Sequence, residues 1–338
     1  ESLPDLVRSL RFSKTMRWNS SNAAFSRPIR WLLALHGGAV VPFEYAGLQS
    51  GRATRGLRFM TPAEITLDNP SEYFEELAEQ GILIDPGERK ESIFAQANQL
   101  ASEVESSLDP DPGLLDEVTN LVEAPTALRG TFDPSHLTLP PQVLTSVMKK
   151  HQRYFPVYEK NRTGGEERLA PYFIAVRNGD DLGIEEVIEG NEHVIRARFA
   201  DAHFFVEDDL KQPLEAFLTK LGTMTFQVKL GSMLGKSKRI SALAKDLSSQ
   251  VELTETEQST AKRAAELCKA DLATKMVVEM TSLQGYMGSY YAAQSGEAPE
   301  VSSAIFEHYL PRYSGDQVPA SKAGLVVGLA DRLDSLVG

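Results

Sequence analysis

The hydrophobic pattern changes period at Ile184, and few architectures accommodate such a change within one chain. Before it, short apolar runs alternate with turn residues. After it, apolar side chains recur at helical spacing, as in Val187, Ile188, Val194, Ile195, Phe199 and Ala202. The order predicts an α+β N-terminal region with antiparallel strand pairs, followed by an all-α helical domain. A length of 338 residues fits two or three domains. The expected divisions are residues 1–60, a strand hairpin and Arg-rich loop; 61–183, an α+β domain; and 184–338, helical.

Local signals give the elements. A short helix is expected around Leu3 to Leu10, then a buried strand over Arg30 to His36. Gly37-Gly38 signals a hairpin, with Ala39 to Tyr45 as the returning strand and Pro42 on an edge. Ser50 to Phe59 reads as a glycine-punctuated loop. Ile65 to Leu67 reads as strand, Glu72 to Glu79 as helix with Pro70 near its first turn, and Ile82 to Ile84 as strand. Asp85-Pro86 opens a helix to about Val104, and Asp109 to Gly113 is a loop. A helix over Leu114 to Val122, strands around Thr126 to Thr131 and a helix from Pro140-Pro141 follow. Phe155 to Tyr158 and Tyr172 to Val176 form a hairpin with its tip at Asn161 to Glu167. Later helices are expected over 184–221, 227–250, 254–280, 299–309 and 320–337, with Thr254 and Glu257 as a capping box.

Bulk numbers narrow the function. Apolar residues at 42% can build real cores. A formal net charge of -12 excludes uniform coating of nucleic acid and leaves room for local basic patches. The single cysteine, Cys268, excludes an intrachain disulfide and fits a reducing compartment. No apolar run is long enough for a transmembrane helix, and Glu1, Asp5, Arg8 and Arg11 interrupt any signal-peptide pattern. The chain starts without methionine and ends in a run that still reads as helix, so a piece of a longer polypeptide is expected.

Positive charge is concentrated at Lys149, Lys150, His151 and Arg153, at a helix end followed by an aromatic strand. Such a run suits RNA phosphates with bases stacked nearby. It equally suits a helix C-terminus, where cations offset the carbonyl end of the macrodipole. Arg52, Arg55 and Arg58 share one loop and could track a phosphate backbone. Arg196 and Arg198 have Glu192, Asp201 and Asp208 nearby, which favours structural ion pairing over phosphate contact. Asp180-Asp181 and Asp208-Asp209 read as solvated loop or cap charges. Cys268 reads as a small buried residue. Gly231 to Ser237 superficially matches a phosphate loop, but its glycine spacing is wrong and it reads as helix.

Ala270-Asp271, His308 and Asp331 together resemble the scaffold of the HD-domain phosphohydrolases. In that family a His, a His-Asp pair and a later Asp hold a divalent metal that activates water. Here Ala270 stands where the pair's histidine belongs, and no histidine lies between His203 and His308. The expected state is a degenerate site without metal, in which Asp271 and Asp331 cap helices or pair with Lys269, Lys275 or Arg332. A metal-dependent HD-type phosphohydrolase is the alternative function.

A second resemblance covers the whole chain in collinear order. Met16-Arg17-Trp18, Phe25 to Trp31, Ser50-Gly51-Arg52, Thr54-Arg55-Gly56 and Arg58-Phe59 carry its first part. Met148 to Val157, Pro171 to Val176, Gly190-Asn191-Glu192 and Val194 to Arg198 continue it. Lys269 to Leu272, Leu283 to Gly288, His308 to Arg312 and Ala330 to Gly338 complete it. The set resembles the β subunit of the bacterial-type heterotetrameric glycyl-tRNA synthetases. The resemblance implies an aminoacyl-tRNA synthetase (a ligase) of the cytoplasm, or of an organelle if the parent carries a transit peptide. It implies an α subunit that makes glycyl-adenylate with ATP and magnesium, and an α2β2 assembly. It implies a β subunit that binds tRNA(Gly) and supports the α subunit. This chain would then carry no catalytic residue, cofactor or metal of its own. Arg52, Arg55, Arg58, Lys149, Lys150, His151, Arg153, Arg196 and Arg198 become the tRNA-binding candidates. Ala270, Asp271, His308 and Asp331 become the degenerate HD positions.

Overall fold

The structure, a computed structural model, describes residues 3–58, 64–108, 111–160 and 168–337. It divides into two compact units. One comprises Glu1–Gly130 with Arg153–Glu189; the other comprises Thr131–Gln152 with Gly190–Gly338.

The first unit is α+β. Its main sheet has the order Ser106–Leu108, Phe155–Glu159, Leu169–Asn178, Pro125–Thr131. Phe155–Glu159 is antiparallel to both Leu169–Asn178 and Ser106–Leu108, so the expected hairpin is present. Its tip at Asn161 to Glu167 lies outside the described residues, as do Asp109-Pro110 and Phe59. The helix Pro86–Ser102 covers the sheet because one face is apolar: Ile93, Ala97 and Ala101 are four residues apart and fully buried. Asp85 starts it by accepting from Gly87 N at 2.7 Å and Glu88 N at 3.0 Å. The helix Pro112–Leu121 adds Leu114 and Val118 to the same core.

Gly130 permits a close approach in this sheet. A Cβ there would lie 2.2 Å from Cζ of the buried Phe173. Tyr154 stacks on that ring at 4.6 Å, and burial pushes its hydroxyl up to about 12.

The N-terminal part departs from expectation. The predicted strand Arg30 to His36 is two short strands, Leu32–Leu33 and Leu35–His36, only half-buried or exposed. Ala34 separates them because its N–H donates to Gly51 O and its C=O accepts from Val41 N, each in a different direction. Leu32–Leu33 runs parallel to Leu48–Gly51, which is antiparallel to Glu44–Tyr45. The hairpin at Gly37-Gly38 is present, with Gly37 at φ 54°. Pro42 falls between strands. The expected loop after Ser50 is partly strand, since Ala53–Thr54 pairs with Ile65–Thr66. Over Ile82 to Ile84 only Leu83 N makes a sheet-like bond, to Glu123 O, so no strand forms.

The second unit is predominantly helical. Ile195, Phe199, Leu214, Leu221, Ile240, Val326 and Val327 are among its fully buried side chains. The expected helix over 254–280 is three pieces: Glu255–Leu267, the 3-10 turn Ala270–Ala273, and Lys275–Glu279. Side chains, not backbone propensity, set that break. Thr274 Oγ1 and Asp209 accept the orphan N–H groups of the new helix start. The capping box of Thr254 and Glu257 is present. The segment before Met233–Gln250 is a small hairpin, Thr225–Gln227 with Gly231–Ser232, rather than helix. Tyr286–Gln294 is a helix that apolar periodicity misses, because Gly288 sits within it and Met287, Gly288, Tyr291 and Ala292 are all buried.

Candidate nucleic-acid interface

The basic run after Ser146 is a widened terminus. The helix Pro141–Ser146 passes into a π-helical turn, Val147–Gln152, and Arg153 at φ 58° ends it. Lys149 is half-buried, while Lys150 and His151 are exposed. In the other unit, Arg153 Nε donates to Glu117 Oε1 at 2.9 Å. The aromatics that follow point away from any solvent ligand: Tyr154 and Phe155 are buried. They are core, not stacking platforms.

The three loop arginines have different surroundings. Arg52 ties strands together, donating to Gly38 O at 3.1 Å and Leu67 O at 3.3 Å and pairing with Asp68 at 3.2 Å. Arg55 lies 5.5 Å from the Trp31 ring centre and 3.9 Å from Glu64. Arg58 is exposed.

In the helical unit, Arg196 and Arg198 are exposed and make no ion pair among the described residues. This corrects the expected pairing on that helix. Glu192 instead accepts from Thr131 N and Oγ1, and Asp208 pairs with Lys211 and Lys275. Asp209, read as a solvated loop or cap charge, does cap a helix but is buried.

Of the four candidate HD positions, His308 and Asp331 converge on one buried ammonium. Lys269 Nζ lies 2.7 Å from Asp331 Oδ2, 2.9 Å from His308 Nε2 and 4.0 Å from the Tyr309 ring centre. His308 Nδ1 donates to Ile305 O at 2.5 Å, so Nε2 carries the lone pair that accepts from the ammonium. Burial first, then the Lys269 charge, hold the His308 imidazole well below the usual range, so it is neutral. Burial pushes Asp331 up, but the Lys269 charge and hydrogen bonds from Lys236 and Lys269 outweigh it and leave the carboxyl at about 2.

Lys236, which sequence reasoning missed, is a second buried ammonium. It lies 2.8 Å from Asp331 and 3.2 Å from Asp334. Arg332 instead donates to His308 O and to the next carbonyls, capping the helix Pro299–Glu307. Ala270 contributes only a buried methyl.

Asp271 faces the start of the helix Tyr286–Gln294. It accepts from Gly285 N at 2.6 Å and Gly288 N at 3.1 Å. Both glycines are needed for that approach: a Cβ at Gly285 would meet Tyr309 at 2.4 Å, and one at Gly288 would meet Asp271 itself at 2.9 Å.

These donors do not fit a divalent metal. The ammonium of Lys269 occupies the space between the two strongest ligands. Among the described residues no group of three or more His, Cys, Asp or Glu converges as a metal site. Cys268 is fully buried, and burial pushes its thiol up to about 12, away from nucleophilic use.

Burial pushes the Asp271 carboxyl up to about 6, against the pull of the Gly285 N–H, Lys269 and the Gly288 N–H. A raised acid pKa favours the folded state fully below the unfolded value near 3.8 and loses that contribution as pH rises through about 6. Between pH 4 and pH 8 the protein therefore loses roughly 2–3 kcal/mol relative to its Asp271→Asn variant, at about 1.4 kcal/mol per pKa unit. Urea denaturation of both proteins across that range measures the difference; a constant gap contradicts it.

Comparison with known proteins decides the family. The family model described as "Glycyl-tRNA synthetase beta subunit" matches residues 1–338. The chain belongs to the glycyl-tRNA synthetase beta subunit family. It is 50% identical over 338 residues to the glycine--tRNA ligase beta subunit of Desulforamulus reducens, covering 100% of this chain and 48% of that protein. It is 48% identical over 335 residues to that of Shouchella clausii, covering 99% of this chain and 48% of that protein. It is 43% identical over 334 residues to that of Bacillus subtilis, with 99% and 48% covered. The chain thus spans about half the length of the relatives it matches. Among the described residues no helix is long and apolar enough to cross a membrane.

One basic region contributed motifs to the resemblance but no tRNA-binding candidate. Between Asp5 and Glu44 there is no acidic residue and there are six basic ones: Arg8, Arg11, Lys14, Arg17, Arg27 and Arg30. Both tryptophans, Trp18 and Trp31, lie in the same stretch. The spacing of charge alone marks it, in a chain that is acidic overall.

Proposed function

We propose that this chain is the part of a glycine--tRNA ligase beta subunit that binds tRNA(Gly) and associates with the alpha subunit. The alpha subunit uses ATP and magnesium to attach glycine, within an α2β2 assembly in the cytoplasm. The chain itself supplies grip and orientation, and the helical unit is a metal-free relative of the HD scaffold. The observation that carries this reading is the family match over every residue of the chain. Two further facts support it. Arg196 and Arg198 are exposed cations on one helix with no ion pair among the described residues, suited to phosphate contact. The Lys269 ammonium between Asp331 and His308 disfavours the phosphohydrolase alternative.

Charge reversal tests the role of the helix. Arg196→Glu with Arg198→Glu lowers tRNA affinity by about tenfold or more and flattens the salt dependence by roughly two counterions. Filter binding or fluorescence anisotropy reads both. Unchanged affinity and slope would remove Arg196 and Arg198 from the contact surface.

A further inference from the structure

The acid-free stretch of the first unit is folded, exposed and cationic. Arg11, Lys14, Arg27 and Arg30 are exposed and make no ion pair or side-chain hydrogen bond among the described residues. The backbone that carries them is pinned. Met16 and Phe25 exchange N–H···O bonds of 2.9 and 3.2 Å, and Arg17 Nε donates to Asn22 O at 3.2 Å across the turn between them. Asn19 Nδ2 donates to Ala46 O at 2.8 Å, fastening the turn to the strand region. Phe12 packs edge-on against Phe25 with centroids 4.6 Å apart.

Two aromatic rings beside these cations are part-exposed. Phe12 is 37% exposed and Trp31 is 40% exposed. The Arg55 guanidinium lies 5.5 Å from the Trp31 ring centre. Cations alone would suit any polyanion, including an acidic protein. Part-exposed rings, one with a guanidinium over it, add a surface on which unpaired bases stack. A duplex hides its bases and could use only the charges.

We propose that the segment from Arg11 to Trp31, with Arg55, is a docking surface for single-stranded RNA. It takes an unpaired stretch of the tRNA, with Arg11, Lys14, Arg27 and Arg30 on phosphates and Trp31 under a base. The proposal rests on the tRNA-binding reading and adds both the place and the strandedness.

Trp18 and Trp31 are the only indoles, so tryptophan emission reports stacking directly. The probes are a short single-stranded oligoadenylate, an RNA duplex of equal length and polyglutamate, each titrated onto the protein. The expected result is preferential binding of the single strand with quenched emission. Trp31→Phe abolishes most of the quenching. Arg27→Glu with Arg30→Glu, and separately Arg11→Glu with Lys14→Glu, weaken binding at least tenfold. All four residues are exposed and have no ion pair among the described residues, so unchanged circular dichroism is expected of these variants.

Equal or tighter binding of the duplex overturns the proposal, as does polyglutamate binding as tightly as the oligoadenylate. So does quenching that survives in Trp31→Phe, or wild-type affinity in both charge-reversed variants. If whole tRNA still binds and depends on Arg196 and Arg198 while these variants behave as wild type, this surface is refuted and the tRNA-binding reading stands. If whole tRNA does not bind the unaltered protein, it is the broader reading that fails.

Discussion

Replacing Lys269 with methionine lowers the unfolding free energy by roughly 3–5 kcal/mol, the range seen when one partner of a buried ion pair is removed. The side chain is only 4% exposed and meets a carboxylate, a neutral imidazole and an aromatic face. Methionine keeps the stem packing but leaves the His308 lone pair without a donor and removes one of two cations from Asp331. Asp331 retains Lys236, so the carboxylate is not stranded entirely. The double variant Lys269→Met with Asp331→Asn recovers part of the loss, because the uncompensated charge is gone. Urea midpoints followed by circular dichroism give both values. A loss below about 1 kcal/mol, the level of an exposed pair, would show that the ammonium is not held in this centre.

The second large effect is expected at Asp209. Its carboxylate accepts from Lys275 N at 2.8 Å, Met276 N at 3.0 Å and the Tyr291 hydroxyl at 2.9 Å. It therefore starts the helix Lys275–Glu279 and anchors it to the helix Tyr286–Gln294. Asp209→Ala leaves those donors without an acceptor in a site where the aspartate is 3% exposed. At about 1–3 kcal/mol for each unsatisfied buried group, the variant loses roughly 3 kcal/mol or more. Asp209→Asn keeps one oxygen acceptor and loses markedly less. Thermal denaturation of the three proteins orders them wild type, Asn, Ala; equal stability of Ala and wild type contradicts the assignment.

Both predictions rest on features that the sequence showed unevenly. The long helices were legible because each buries one face at a regular period, as Ile93, Ala97 and Ala101 do. The short strands near the N-terminus were not, because their ends are set by single backbone bonds such as Ala34 N to Gly51 O. The break after Leu267 depends on Asp209, 66 residues before the Lys275 N–H that it accepts. No local propensity encodes that.

Site residues divide in the same way. Arg52 and Arg196 are indistinguishable by type, yet one is tied to carbonyls and the other is exposed, with no ion pair among the described residues. The missing histidine at Ala270 was legible, and so was the expectation that Asp331 pairs with a cation. The placement of Lys269 between groups 39 and 62 residues away was not. The acid-free stretch from Leu6 to Phe43 could have been read directly, as a charge pattern rather than a motif.

The most direct test of the account is the affinity of the unaltered protein for a glycine-accepting tRNA across salt concentration. Grip by clustered cations predicts specific binding that weakens at least about a hundredfold between about 50 and 200 mM salt, as four or more phosphate contacts require. Absence of binding, or an affinity indifferent to salt, would contradict it.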